Sequence, residues 1–250
     1  MTASGFEKEC QEAFEVALNT RRIGRKIIAF NTIDSTNTYA LEHGEDGTVY
    51  VADQQSAGRG RLGRTWFSDP GVGLWFTACF DGLVQGLTCA GALAVRDAII
   101  ARCPATIKWP NDILVDGRKV CGILVEHRND KTVLGIGVNV RQRIEDFPEQ
   151  LRERVGSLES LRGESWDRLA LLRDILTNLD QKVMLLESGN ERSVLDEWSE
   201  ACNIVGRRIR RGSVEGVVQS IDEIGALIVE TSTGVERIMS GEIEVLTGDV

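Results

Sequence analysis

Residues 58–66 read Gly58-Arg59-Gly60-Arg61-Leu62-Gly63-Arg64-Thr65-Trp66, three arginines and three glycines closed by a tryptophan. Gly58, Gly60 and Gly63 satisfy the GxGxxG spacing of a dinucleotide-binding turn, so the stretch decides whether the sheet is a Rossmann sheet. Such a turn works only when a helix opens directly behind it to receive a pyrophosphate. Here Thr65-Trp66-Phe67 follows, then Pro70-Gly71, and no GxxxxGK[ST] occurs anywhere in the chain. A dinucleotide fold is therefore not expected. Glycine lets backbone N–H groups approach a ligand closely, and arginine presents a planar fork to carboxylate or phosphate, so the loop suits an anion. A mobile surface loop or a nonspecific nucleic-acid arm is the alternative. The flat face of Trp66 suits a nucleobase, and equally a core.

Lys26–Ile33 has strand composition and Ser35 caps a short helix that Gly44 ends. Val49–Asp53 and Leu74–Phe80 read as strands, and Leu87 to Ile99 places apolar residues at helical spacing. Further strands are predicted at Thr106–Lys108, Ile113–Val115, Lys119–His127 and Thr132–Val140, the last two joined by the polar turn Arg128-Asn129-Asp130-Lys131. The sheet is mixed. Leu169, Leu172, Leu176, Leu179, Val183 and Leu186 then mark an amphipathic helix over 165–187, with Ser165 as its N-cap. A second helix around Leu195 and Trp198 ends near Cys202. Beyond it come five short strands with Gly-containing turns, Arg207–Arg210, Gly216–Ile221, Ala226–Glu230, Val235–Met239 and Glu242–Leu246, which predict a small five-stranded barrel. The expected division is 1–202 and 203–250.

The chain has 250 residues, 42% of them apolar and 27% charged, with a net charge of -9, which suits one full core and a small module. It carries no signal-peptide core and no apolar run long enough for a bilayer, so a cytoplasmic protein is expected. The six cysteines are far apart and form no CxxC pair, which reads as buried reduced thiols. Two histidines leave little for a zinc centre.

Two other stretches carry chemistry. Lys108 ends a strand beside the turn Trp109-Pro110-Asn111-Asp112, where its ammonium either neutralises an anion or merely snorkels, and Asn111 and Asp112 read as turn formers. Gly135 and Gly137 weaken an apolar strand unless another group approaches its backbone, as a purine or sugar would.

GRGRLGRTW, KWPNDILV (108–115), KVCGILVE (119–126) and GIGVNV (135–140), together with DSTN (34–37) and QQSAG (54–58), resemble the biotin protein ligases over about residues 27–140. The resemblance implies an α+β catalytic domain of class II synthetase type, with a mixed sheet packed with helices, and a C-terminal SH3-like barrel. It implies that biotin and ATP, with Mg²⁺, form biotinyl-5′-AMP, and that the biotinyl group passes to one lysine of a biotin carboxyl carrier domain. Biotin is expected against Ser35, Thr36, Asn37, Gln55, Gly58, Arg59, Gly60, Arg61 and Lys108, with Lys108, Arg59 and Arg61 as the catalytic set. ATP or the adenylate is expected against Arg61, Arg64, Trp66, Lys108, Asn111 and Asn139, with no protein metal ligand named. Leu62 stands where many relatives carry a charged residue, and Cys121 where they carry a small apolar one.

Some members of the family carry an N-terminal DNA-binding domain and repress transcription. The first 34 residues hold five Lys/Arg and five Asp/Glu, which gives neither the room nor the charge for duplex binding, so the form without that domain is expected. A related lipoate ligase or transferase and a silent biotin-binding protein are the competing readings. The full arginine loop, the C-terminal strands and the absence of a distinctive polar cysteine motif favour biotin over lipoate, and the retained Arg59, Arg61 and Lys108 speak against a silent protein. Two subunits pairing edge to edge through the catalytic sheet is implied by the resemblance alone.

Overall fold

The computed structural model describes residues 5–16 and 18–246; 1–4 and 247–250, the ends of the two expected domains, lie outside the described residues. The first sheet is built from β1 (Lys26–Ile33), β2 (Thr48–Gln55), β3 (Gly73–Asp81), β4 (Ala105–Lys108), β5 (Asp112–Val115), β6 (Arg118–Arg128) and β7 (Lys131–Asn139), lying side by side as β1-β2-β3-β7-β6-β5-β4. Only β1 and β2 are parallel, and the helix α2 (Thr36–His43) makes the crossover that a parallel pair requires. Every other neighbouring pair is antiparallel, so the sheet is mixed, as the pattern predicts.

Strand alternation divides the central strands between two jobs. Leu74, Phe76, Ala78 and Phe80 of β3 and Leu134, Ile136 and Val138 of β7 belong to the main core, with α3 (Leu87–Ile99), α5 (Arg168–Glu187) and α6 (Glu191–Cys202). Helix α3 comes close because Gly91 has no side chain: a Cβ there would lie 3.1 Å from Leu134. The intervening residues point the other way, where Cys79 and Val133 pack on Ala40, Leu41 and Tyr50 under α2. Thr77, Gly135 and Gly137 share that second face, and the polar and arginine-bearing groups gather there.

Two local features differ from the sequence reading. Helix α1 (Phe6–Ala13) was not anticipated; it has eight residues with only Phe6 and Cys10 buried, too short for a periodic signal, and it packs on β1. The N-cap of α5 is Asp167, not Ser165: the Asp167 carboxylate accepts from the backbone of Leu169 at 2.9 Å and Ala170 at 3.0 Å. Burial of the intervening Trp166 delays the helix start. A further short helix, α4 (Leu158–Arg162), precedes it.

Asn203, in the left-handed region at φ 47°, ends α6 and leads to the second sheet. Strands β8 (Arg208–Arg211), β9 (Val214–Ile221), β10 (Leu227–Thr231), β11 (Gly234–Ile238) and β12 (Glu244–Val245) lie antiparallel in the order β11-β10-β9-β8-β12. Among the described residues the end strands β11 and β12 share no ladder, so backbone hydrogen bonds do not close the expected barrel. Strand β12 is only two residues long and pairs with β8 alone. The two sheets meet where Trp109 Nε1 donates to the Gly225 carbonyl at 2.9 Å.

The six cysteines are unpaired, all buried except the half-buried Cys202. Burial pushes the Cys10 and Cys89 thiols up to about 12, which removes them as nucleophiles near neutral pH. No helix among the described residues is long and apolar enough to cross a membrane.

Candidate active site

The floor of the site is a buried polar network where β1, β2 and α2 meet. Ser35 caps α2, accepting from Thr38 N at 3.4 Å, and Gln55 Oε1 accepts from the backbone and hydroxyl of Thr36 at 2.8 and 3.1 Å. Gln55 Nε2 donates onward to Ser68 Oγ at 3.0 Å. Asn37 is committed at both ends of its amide: Oδ1 accepts from the Thr77 hydroxyl at 2.6 Å, and Nδ2 donates to Glu126 Oε2 at 2.8 Å and to the Leu124 carbonyl at 3.3 Å. Ser35, Thr36, Asn37, Ser68 and Thr77 are all buried, while their partners Gln55 and Glu126 are half-buried, so the network is shielded from water on its inner side.

The glycine–arginine stretch is a hairpin-like arm. Gln55 N bonds Ser68 O at 3.1 Å, Trp66 N bonds Gly58 O at 2.9 Å and Gly60 N bonds Arg64 O at 2.7 Å, a ladder that narrows toward the tip. Gly58 is required where the arms cross, because a Cβ there would fall 2.4 Å from the Trp66 carbonyl. At the tip Leu62 takes φ 58° and Gly63 φ 72°, and no helix follows, in keeping with the rejection of a dinucleotide turn. The three arginines part company. Arg59 bonds Thr38 Oγ1 and Glu126 Oε2, each at 3.2 Å; Arg61 donates to Asn111 Oδ1 at 2.8 Å; Arg64 pairs with Glu242 from the second sheet.

The strand glycines have a different occupant from the one expected. A Cβ on Gly137 would lie 2.5 Å from Trp66 Nε1, one on Gly122 would lie 2.8 Å from Trp66 Cζ3, and one on Gly135 would lie 2.2 Å from Asn37 Oδ1. Gly122 and Gly137 are partners in the β6–β7 ladder, so the protein's own indole, not a purine, rests on this glycine pair. Trp66 is half-buried, meets Trp75 edge to face at 6.3 Å, and its N–H has no partner among the described residues.

Sequence reasoning missed Lys119. Its ammonium stands 5.2 Å from the centre of the Trp66 ring and 2.7 Å from Asp112 Oδ1, an ion pair at an angle outside hydrogen-bond geometry. Lys108 is exposed at the end of β4, opposite Asp112 in the ladder, and makes no hydrogen bond or ion pair among the described residues. Asn111 is more than a turn former: its Nδ2 bonds the Ile123 carbonyl at 2.7 Å while its Oδ1 holds Arg61. Asn139 is buried, with Nδ2 on the Gly156 carbonyl at 3.1 Å and Oδ1 on Gln142 at 3.2 Å, so it fastens the chain after β7. A lysine three residues before a strand glycine, as Lys119 is before Gly122, was the available signal. Glu126, Thr77 and Glu242 act through contacts distant in sequence and left none.

A cradle of polar groups beside an arginine arm, a lysine and a tryptophan suits a ligand with a hydrogen-bonding head and an anionic end. The Biotin/lipoate A/B protein ligase family profile matches residues 29–142, and that of the Biotin protein ligase C terminal domain matches residues 203–246. The bifunctional ligase/repressor BirA of Bacillus spizizenii is 33% identical over 257 residues, covering 95% of this chain and 79% of the relative. The biotin–[acetyl-CoA-carboxylase] ligase of Mycobacterium tuberculosis is 31% identical over 79% of each chain. The biotin protein ligase of Aquifex aeolicus in complex with biotin and ATP superposes with a TM-score of 0.77 at 30% identity, covering 89% of this chain and 99% of that one. The chain belongs to the biotin protein ligase family.

Proposed function

We propose that this chain activates biotin with ATP to biotinyl-5′-AMP and transfers the biotinyl group to a lysine of a biotin carboxyl carrier domain. The observation that carries the reading is the convergence of Arg61, Asn111, Asp112, Lys119 and Trp66 beside the buried network of Ser35, Thr36 and Gln55. The polar floor takes the ureido ring, which needs matched donors and acceptors in a dry pocket. The apolar tail runs past the Trp66 indole, which covers the glycines of β6 and β7, toward Arg61 and Lys119, where its carboxylate is received. Trp66 offers its ring to the adenine, and Arg64 and Lys108 lie toward the phosphates.

In the first step a carboxylate oxygen attacks the α-phosphorus, a C–O–P anhydride forms and pyrophosphate leaves. The nucleophile is already ionised at pH 7, so no general base is needed. Catalysis is alignment of two anions and compensation of their charge, the work of fixed cations. Lys119, mounted on a strand and paired with Asp112, is the fixed cation; Arg61, on the arm, is the movable one. In the second step the uncharged acceptor amine attacks the acyl carbon, the C–O bond breaks, AMP leaves and the amine's extra proton passes to solvent.

Mg²⁺ carried by ATP requires only one or two protein oxygens. Asp112 fits, because its buried Oδ1 accepts no hydrogen bond among the described residues, the Lys119 ammonium 2.7 Å away lying outside hydrogen-bond geometry, and Asn111 is adjacent. Such an ion would spread negative charge from the departing pyrophosphate. Unpaired cysteines support a reducing, cytoplasmic setting. Residues 1–202 carry the activation site and 203–250 support it, and pairing of two chains through the large sheet belongs to the same proposal. The test is incubation of the chain with biotin, ATP, Mg²⁺ and a purified carrier domain. One biotinyl group on one carrier lysine is expected, and it disappears when that lysine is replaced by arginine; lipoylation in its place would refute the reading.

A further inference from the structure

One carboxylate oxygen serves both walls of the biotin end. Glu126 Oε2 on β6 accepts from Asn37 Nδ2 on α2 at 2.8 Å and from Arg59 Nη2 on the arm at 3.2 Å. Arg59 has a second acceptor, the Thr38 hydroxyl at 3.2 Å. Thr38, Arg59 and Glu126 line a cleft of about 260 Å³ together with Leu41, His127 and Arg128. We propose that Glu126 is a positioning residue for biotin: it pins Arg59 as the fixed root of the arginine arm and sets the Asn37 amide, so that only the tip beyond Gly60 moves. The inference rests on the ligase reading above and assigns Arg59 an anchoring role in place of direct contact with the reacting groups.

The asymmetry of the arm supports it. Arg59 is held by a charged acceptor and a hydroxyl, whereas Arg61 is held by one neutral amide oxygen. Both donors are ionised guanidinium groups, but Arg59 has two acceptors, one of them a carboxylate, so Arg61 lets go of its single amide oxygen before Arg59 leaves the root. Asn37 bears on the site indirectly. Its amide orientation is set by Glu126 and the Leu124 carbonyl, which only accept, so an amide turned over would set its oxygen against both.

The test measures biotin and ATP affinities of the full chain by titration calorimetry for the parent, Glu126→Gln, Glu126→Ala, Arg59→Ala and the double variant Arg59→Ala/Glu126→Ala. Glu126→Gln keeps an acceptor for Asn37 and removes the charge facing Arg59; a loss of biotin affinity of about 10-fold is expected, as for one hydrogen bond to a charged group. ATP affinity without biotin stays within about 2-fold, and the double variant binds biotin no more weakly than Glu126→Ala, because the two side chains act as one unit. Parent-like biotin affinity in Glu126→Gln, additive losses in the double variant, or equal losses for both ligands overturn the proposal. If Glu126→Ala does not fold, Glu126→Gln and Arg59→Ala decide the matter through the biotin-against-ATP split. A parent chain that does not bind biotin overturns the ligase reading itself, a distinct result because it needs no variant.

Discussion

Arg64, next to the tip of the arginine arm, forms an ion pair with Glu242, which lies between β11 and β12 of the second sheet. The small C-terminal sheet is thereby tied to the part of the site that faces the phosphates. The Arg64 hydrogen bond holds the Glu242 carboxyl below the usual glutamate range against the opposing effect of desolvation, and Lys108 and Arg154 act in the same direction as Arg64.

This contact makes the arm sensitive to salt and acid. Both side chains are more than half exposed, so the pair is screened and contributes little to global stability. A lowered carboxyl value means that the contact is complete above the ordinary glutamate range and is lost as pH falls through the folded value. Glu242→Gln is expected to speed escape of biotinyl-AMP by a few-fold at low ionic strength and to have no effect at about 1 M salt, where the Debye length is ~3 Å. Rapid-quench measurement of adenylate release at both salt concentrations checks it.

Arg61→Gly removes the movable cation and its bond to Asn111. Faster loss of the adenylate, by about 10-fold or more, is expected, with increased labelling of unrelated lysines. Asn111→Ala, which leaves Arg61 without its resting partner, should reproduce part of the effect. Identical release rates in parent and Arg61→Gly would remove the arm from the account.

The two lysines are expected to separate in kinetics. Lys119→Ala loses a cation mounted beside the reacting carboxylate and should slow adenylation by about three powers of ten, equivalent to ~4 kcal/mol. Lys108 is exposed and forms no ion pair among the described residues, so Lys108→Ala should act mainly through the KM for ATP. Single-turnover rates with saturating biotin distinguish them, and a reversed order would return the central role to Lys108.

Gly137→Ala places a methyl group 2.5 Å from Trp66 Nε1 and should displace the indole without unfolding the sheet. A shift in tryptophan emission and weaker binding of biotin, in a chain that melts within a few degrees of the parent, is the expected outcome. Unchanged emission would mean that the indole does not rest on the glycine pair.

A stability test lies outside the site. Asp180, buried on α5, accepts from the backbone N–H groups of Arg21, Arg22 and Ile23 at 3.0, 2.7 and 2.9 Å and so fixes the approach to β1. Asp180→Ala leaves these donors unmatched and should cost about 2–4 kcal/mol, read as a lower denaturation midpoint with unaltered slope.

Much of the fold is legible in the sequence because its elements are long and strongly patterned. Lys26–Ile33 and Leu87–Ile99 agree with their expected bounds, and the four strands from Ala105 to Asn139 fall within a residue or two. The short helix α1 and the start of α5 were not legible, since a two-residue apolar face and a cap preceded by a buried tryptophan lack periodic signal. In the site, residue types were easier to find than their partners. The arginine arm and the strand glycines stand out by composition, whereas the fact that Gly137 accommodates Trp66, and that Glu126 joins Asn37 to Arg59, depends on strand register and on contacts 67 to 89 residues apart along the chain. Lys108 stands beside the conspicuous Trp-Pro-Asn-Asp turn and opposite Asp112 in the β4–β5 ladder, whereas Lys119, paired with Leu114 in the β5–β6 ladder, is brought to Asp112 and Trp66 only by its side-chain contacts.

Biotin-dependent exchange of labelled pyrophosphate into ATP is the most direct test of the central claim, that cations on a hinged arm and on a rigid strand join a carboxylate to the α-phosphate. Exchange that requires biotin, saturates with it and collapses in Lys119→Ala is the predicted result. Exchange that is absent from the parent chain, or that proceeds equally well without biotin, would contradict it.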